Sequence, residues 1–128
     1  PAVTLSITAD RQQTEQLKKG FAALHQAQNA LCEACIDFDS KSMTVSEGAA
    51  LVKSIQDELS ASCSPLFAYR DASPAIDSLV QCCDKCLNSL SLLAGNGDAS
   101  ASSFSSEMKY ALLELSSSYS DMLKSMAG

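Results

Sequence analysis

Apolar side chains recur every three or four residues in four stretches of this chain, and residues that interrupt helices separate the stretches. The breaks are DSKSM at 39–43, the segment that begins at Pro65, and AGNG at 94–97. Proline cannot continue a helix, and glycine accepts the left-handed conformation that closes one. Only Val3, Leu5 and Ile7 alternate as a strand would, and one strand cannot form a sheet. The pattern therefore predicts an all-α protein.

The first helix is predicted from about residue 10 to residue 38, with Thr8 or Asp10 as its cap. Large side chains recur every seven residues at Leu17, Leu24, Leu31 and Phe38, with Phe21 and Cys35 on one flank. Small residues repeat at the same interval on the other flank, at Gly20, Ala27 and Ala34. Large residues beside small ones favour close packing between helices.

Two local signals predict where the next helices begin. Thr44 and Glu47 have the spacing of a capping box, which starts a second helix that ends near Cys63. Ser73 followed by Pro74 is a cap with proline at the first helical position, so a third helix begins there. The second apolar stripe is Val52, Ile55 and Leu59; the third is Ile76, Leu79, Val80, Cys83, Cys86, Leu87, Leu90 and Leu93. Between the helices lies a connector expected to hold one helical turn, with Leu66, Phe67 and Tyr69 plugging the bundle end.

The fourth helix is predicted to begin at a cap on Ser102 or Ser103. Its buried stripe is predicted to be Met108, Leu112, Leu115, Tyr119, Met122 and Met126. Connections of five to ten residues favour antiparallel neighbours. The prediction is one domain over residues 1–128, an up-down-up-down four-helix bundle with a short helical connector between helices 2 and 3.

Composition excludes several classes of function. The formal net charge is −6 and the nine basic residues are scattered, so no nucleic-acid partner is expected. No apolar run approaches the roughly 20 residues that cross a bilayer, so no membrane-spanning segment is expected. The first ten residues show neither the charged nor the apolar region of a signal peptide. The sequence does not specify the cellular compartment. Free cysteines would favour the cytoplasm, and disulfide-bonded cysteines would favour secretion.

Six cysteines are the main candidates for chemistry. Residues that are equally far from a turn along the two helices it joins should lie at the same height in the bundle. On this count Cys32 and Cys86 lie at one height, with Cys35, Cys82 and Cys83 within about one helical turn of it. Cys63 is then expected at the opposite end. The simplest interpretation is that the cysteines are small core residues, since free cysteine is often buried. A disulfide between Cys32 or Cys35 and a cysteine of the third helix is a second interpretation.

A third interpretation is a thiolate site for Zn²⁺ or Cu(I), with Cys32, Cys35, Cys83 and Cys86 as ligands. The stretches LCEAC and QCCDKC resemble the cysteine-lined helices of four-helix copper-storage proteins, a resemblance that implies Cu(I) binding. It covers these two short stretches only, and members of that family carry far more thiols, mostly four residues apart.

No catalytic motif is visible, so no enzyme activity and no cofactor are expected. His25 is the only histidine, it lies seven residues from Cys32, and it is predicted to be a partly exposed flank residue. Serine makes up 22 of 128 residues, and LSSSYSD (115–121) lies on the fourth helix, where a free surface usually carries Glu and Lys. The leading hypothesis is a non-enzymatic interaction module (adaptor, effector, chaperone or assembly subunit). It is expected to use a low-charge groove, at or beside the fourth helix, to bind a helix of a protein partner or a second copy of itself.

Overall fold

The computed structural model describes the backbone of residues 2–127 and the side chains of residues 11–126. Four α-helices are present in this part of the chain: α1 (Ala2–Ser40), α2 (Val45–Cys63), α3 (Pro74–Ala94) and α4 (Ala101–Ala127). A 3₁₀ segment, Ser64–Tyr69, follows α2 and is called the connector below. Residues 2–127 contain no strand. The prediction of an all-α fold is confirmed.

The helices form a bundle in which each helix packs against the next and α4 returns to α1. α1 also contacts α3 across the middle, and the connector contacts α1, α2 and α3. The connections between helices are short, so consecutive helices run antiparallel. Within the described residues, no helix is both long and apolar enough to cross a membrane.

Local capping signals correctly predict the starts of α2 and α3. The Thr44 hydroxyl accepts a hydrogen bond from the Glu47 amide, and the Glu47 carboxylate accepts from the Thr44 amide. Ser73 Oγ accepts from the Ile76 amide at 3.2 Å, with Pro74 at the first helical position. Each bond satisfies an amide that has no partner inside its own helix, which is why the helices start at these residues.

Three other helix ends differ from the prediction. α1 begins at Ala2, so Thr8 and Asp10 lie inside it, and so do the three alternating residues before them. Gly95 ends α3 in the right-handed region, at φ −75°, so no left-handed glycine closes this helix. The cap at the start of α4 is Ser100, whose hydroxyl accepts from the Ser103 amide at 3.1 Å. A serine two or three residues earlier than expected fills this role because Ala101 and Ser102 are already helical.

The core follows the predicted stripes of α2 and α3 closely, and those of α1 and α4 less so. Along α1, Leu24, Leu31 and Phe38 are buried, whereas Leu17 is half-buried. The buried residues of α4 are Phe104, Met108, Ala111, Leu115 and Met122; Leu112, Tyr119 and Met126 lie at the edge of the core. Phe104 and Ala111 were not in the predicted stripe. In the connector Leu66 is buried and Phe67 is exposed, so Leu66 is the main plug of the bundle end.

Candidate functional site

Five of the six cysteines are buried and Cys32 is exposed. Four of the buried cysteines lie together between α2 and α3. We call these four, Cys63, Cys82, Cys83 and Cys86, the thiol cluster. Its centre is the Cys63–Cys83 pair, whose sulfur atoms are 2.9 Å apart and whose side chains are both 0% exposed. Cys82 and Cys86, one helical turn apart on α3, share a second thiol hydrogen bond.

Hydrogen bonding within each pair separates the acidities of its two thiols. The hydrogen bond with Cys83 lowers the pKa of Cys63, although burial opposes this shift. The same hydrogen bond, with burial and the charges of neighbouring thiolates, raises the pKa of Cys83 far above its usual range. The hydrogen bond with Cys86 lowers the pKa of Cys82, which Lys85 also favours, while the pKa of Cys86 is raised. Cys63 and Cys82 are therefore the members of the cluster that ionise first.

The prediction that Cys63 lies at the opposite end of the bundle from the other thiols is wrong. α2 passes directly into the connector, whose six residues extend the chain by about 12 Å at about 2.0 Å per residue. α3 then runs back by about eight residues, at about 1.5 Å per residue, before it is level with Cys63. Eight residues beyond Pro74 is Cys82, next to the observed partner Cys83. Equal counting from the turn leaves out the length of the connector, and this length accounts for the difference in height.

The length of the connector also places the cysteines of α1 and those of α3 at different heights along the bundle. The charged and thiol groups around Cys35 are Cys32, Asp39 and Lys109, and burial is the main cause that raises the pKa of its thiol. The groups around Cys86 are instead Cys82, Cys63 and Lys85.

The four residues predicted as metal ligands therefore fall into two places. Cys32 and Cys35 lie on α1, while Cys83 and Cys86 lie in the thiol cluster. Among residues 11–126, no group of three or more His, Cys, Asp or Glu side chains is arranged to hold a metal ion. Zn²⁺ or Cu(I) binding by these four cysteines stays a prediction.

His25 is exposed on α1, consistent with the prediction for its position. Its Nε2 lies 3.0 Å from the hydroxyl oxygen of Tyr119, and the two rings meet edge to face with centroids 4.8 Å apart. This pair joins α1 to α4. A nearby bond from Ser116 Oγ to Gln28 Oε1, at 3.4 Å, joins the same two helices. Part of the serine-rich segment of α4 therefore contacts α1.

A second feature is a groove on the opposite side of α4, between α3 and α4. We call it the α3–α4 groove. Its upper part has a volume of about 280 Å³ and is lined by Ser89, Leu92, Leu93, Asn96, Glu107, Tyr110, Ala111 and Glu114. Leu92 and Tyr110 flank it from the two helices and are 73% and 70% exposed. These two exposed apolar side chains make the rim of the groove apolar at this point.

Two carboxylates stand along the upper groove, seven residues apart on α4. Glu114 accepts a hydrogen bond from Ser89 Oγ at 2.7 Å, and Glu107 accepts from Asn96 Nδ2 at 2.6 Å. Both donors are neutral, so neither hydrogen bond adds a positive charge beside the carboxylate, and each holds its side chain against α3. The lining residues of the upper groove include no Lys or Arg. Apolar side chains between two fixed negative charges are the main chemical character of this surface.

The lower part of the groove is more polar and reaches the thiol cluster. It is lined by Ser78, Gln81, Cys82, Lys85, Ser118, Asp121, Met122 and Ser125. Cys82 is the member of the cluster that borders it. The charges of Lys85 and Asp121 balance, so the net negative character is confined to the upper groove.

The sequence predicted a docking groove at the fourth helix without specifying its position, and it did not predict the Cys63–Cys83 contact. A signal for the position of the groove was present in the sequence: Leu92 and Tyr110 are large apolar residues that lie off the core stripes of their helices. Comparison of the chain with protein-family models, with curated proteins and with solved structures finds no match in any of the three.

Proposed function

We propose that this protein is a non-enzymatic interaction module whose α3–α4 groove receives a basic amphipathic helix of a protein partner. The observation that carries the proposal is the combination of two exposed apolar residues that flank the groove, Leu92 and Tyr110, with the carboxylates of Glu107 and Glu114. Helix-in-groove recognition uses apolar anchors spaced three or four residues apart, and charges beside the anchors set orientation and partner choice.

The spacing of the two carboxylates specifies what the partner helix should present. Seven residues along α4 correspond to about 10 Å, or two helical turns. Lys or Arg side chains seven residues apart on the partner would face Glu107 and Glu114 together. Apolar side chains in the turn between them would contact Leu92 and Tyr110. The formal net charge of −6 favours encounter with a basic partner at low ionic strength.

The groove is built on rigid elements, which supports binding without a large ordering cost. Hydrogen bonds from α3 fix both carboxylates, and the residues beneath them, Leu93 and Ala111, belong to the buried core. Tyr110 is the type of side chain that contributes most at protein interfaces.

A peptide panel tests the proposal. A fluorescent amphipathic peptide with lysines seven residues apart and leucines between them is compared with two controls, a Lys→Glu version and a scrambled version. The basic peptide should bind, with amide shifts in an NMR spectrum confined to α3 and α4 around Leu92 and Tyr110. Leu92→Ala and Tyr110→Ala should each weaken binding about tenfold, as expected for loss of one buried apolar anchor.

Ile36→Ala is the matched control, since Ile36 is a 60%-exposed apolar residue on α1. It should leave the affinity unchanged. Equal binding of the basic, acidic and scrambled peptides, or shifts centred on another face, would contradict the proposal. Sedimentation over a range of concentrations provides a further readout. If the chain self-associates and Tyr110→Ala abolishes the self-association, the occupant of the groove is a second copy of this chain and not a partner helix.

A further inference from the structure

The Cys63–Cys83 pair has the arrangement that precedes a disulfide. The sulfurs are 2.9 Å apart, and the bonded distance is about 2.05 Å, so closure requires an approach of about 0.9 Å. The two residues belong to different helices, α2 and α3, and lie twenty positions apart in the chain. We expect rotations of the two side chains to supply this movement.

The surroundings accommodate the product as well as the two thiols. Both side chains are fully buried, and no polar or charged residue among residues 11–126 is as deeply buried as these thiols. A disulfide has no S–H donor, so its formation leaves no unsatisfied group in the core. The lowered pKa of Cys63 identifies it as the thiol that attacks first.

We propose that Cys63 and Cys83 form a disulfide by exchange with a low-molecular-weight disulfide, such as glutathione disulfide, and so cross-link α2 to α3. Cys63 Sγ, as the thiolate, attacks one sulfur of the reagent and releases one molecule of small thiol. Cys83 Sγ then loses its proton and attacks Cys63 Sγ, and the second small thiol leaves. The two hydrogens of the cysteine thiols end on the two small thiols. The reagent is reduced by two electrons and the cysteine pair is oxidised by two.

Burial makes this reaction slow in the folded protein. A reagent reaches Cys63 only when the junction of α2 and the connector opens, whereas Cys32 is accessible at all times. The reduced pair should therefore persist under brief oxidation and close on prolonged exposure or during folding. Once closed, the cross-link constrains a loop of about twenty residues in the unfolded chain and should raise the melting temperature by about 10 °C.

The experiment incubates the reduced protein with glutathione disulfide, alkylates the remaining thiols in denaturant and measures intact mass and digested peptides. The expected result is loss of two hydrogens, with one linked peptide that joins residues 63 and 83. Cys63→Ala and Cys83→Ala should each abolish this peptide, while Cys32→Ala, the exposed control, should keep it. Circular dichroism establishes that each variant is folded.

Peptide mapping of the wild-type protein decides the proposal even if a variant fails to fold. Full alkylation of both residues after prolonged oxidation would overturn it. A stable glutathione adduct on Cys63, or a link that joins Cys82 to Cys86 or Cys32 to Cys35 in place of the expected pair, would overturn it as well.

Discussion

Gly48 of α2 packs directly against the ring of Phe104 on α4. A Cβ at position 48 would lie 2.8 Å from Phe104 Cε1 and 3.0 Å from Phe38 Cδ2. The two rings contact each other, with centroids 5.3 Å apart. Absence of a side chain at Gly48 is therefore what lets three helices meet at this end of the bundle.

Gly48→Ala should destabilise the protein because the methyl group displaces both rings. Overpacking costs about 1–3 kcal/mol, and the better helix propensity of alanine returns about 1 kcal/mol, so the net loss should be at most about 2 kcal/mol. Chemical unfolding measures it. Gly95→Ala is the matched control: its Cβ would meet only ordinary contacts at 3.5 Å, and φ is −75°. It should be neutral or stabilising by about 0.4–1 kcal/mol. Equal effects at the two positions would contradict this account.

Leu31→Ala should lower the free energy of unfolding by about 2–5 kcal/mol, because Leu31 is 0% exposed and its removal leaves a cavity. Urea unfolding followed by circular dichroism measures the loss. Leu92→Ala is the control, since the side chain is 73% exposed, and it should change stability by less than about 0.5 kcal/mol. A small loss at Leu31 would mean that α1 packs differently from the structure.

Asp39 should make the α1–α4 contact sensitive to acid. Its carboxylate accepts a hydrogen bond from Ser105 Oγ at 2.8 Å and pairs with Lys109 Nζ at 3.2 Å. The hydrogen bonds from Ser105 and Lys109 lower the pKa of Asp39 below its unfolded value of about 3.9. A lowered folded-state pKa contributes stability above the unfolded pKa, and this contribution is lost as pH falls through the folded pKa.

Asp39→Asn should therefore reduce the urea midpoint at neutral pH, and the difference from wild type should shrink as the pH falls through the folded-state pKa of Asp39. Asp57→Asn is the control. It removes a pair with Lys53 inside a single helix, so no contact between helices is lost and the effect at neutral pH should be smaller. A difference at Asp39 that persists unchanged in acid would show that the carboxylate charge is not responsible.

Under reducing conditions, Cys63→Ala and Cys83→Ala should show non-additive losses of stability. The first substitution already removes the shared hydrogen bond, so the second removes only packing. The coupling should be about 0.5–1.5 kcal/mol. Cys32→Ala and Cys86→Ala form the control pair and should be additive, because neither thiol is among the neighbours of the other. Large coupling between Cys32 and Cys86 would indicate that the two residues are in contact at the same height in the bundle, as the sequence pattern predicts.

Features of the fold that depend on a few neighbouring residues, such as the starts of α2 and α3, were predicted correctly from the sequence. The Thr44–Glu47 and Ser73–Pro74 caps depend on bonds within one turn, so they were visible in the sequence. Burial along α2 and α3 followed from periodicity for the same reason. The height of Cys63 relative to Cys83 depends instead on whether the connector prolongs α2 or reverses it at once, which no local pattern specifies. The α3–α4 groove likewise depends on which off-stripe residues face each other across two helices.

The position of Phe104 in the first turn of α4 has a consequence for the order in which the bundle is assembled. A ribosome adds the residues of α4 after those of α1, α2 and α3, so a chain that still lacks α4 leaves one face of the core uncovered. Phe104 is the first large side chain of α4 to be added, and its ring fills the space beside Phe38 and Gly48. Burial of the Phe38 ring therefore has to wait until α4 is made.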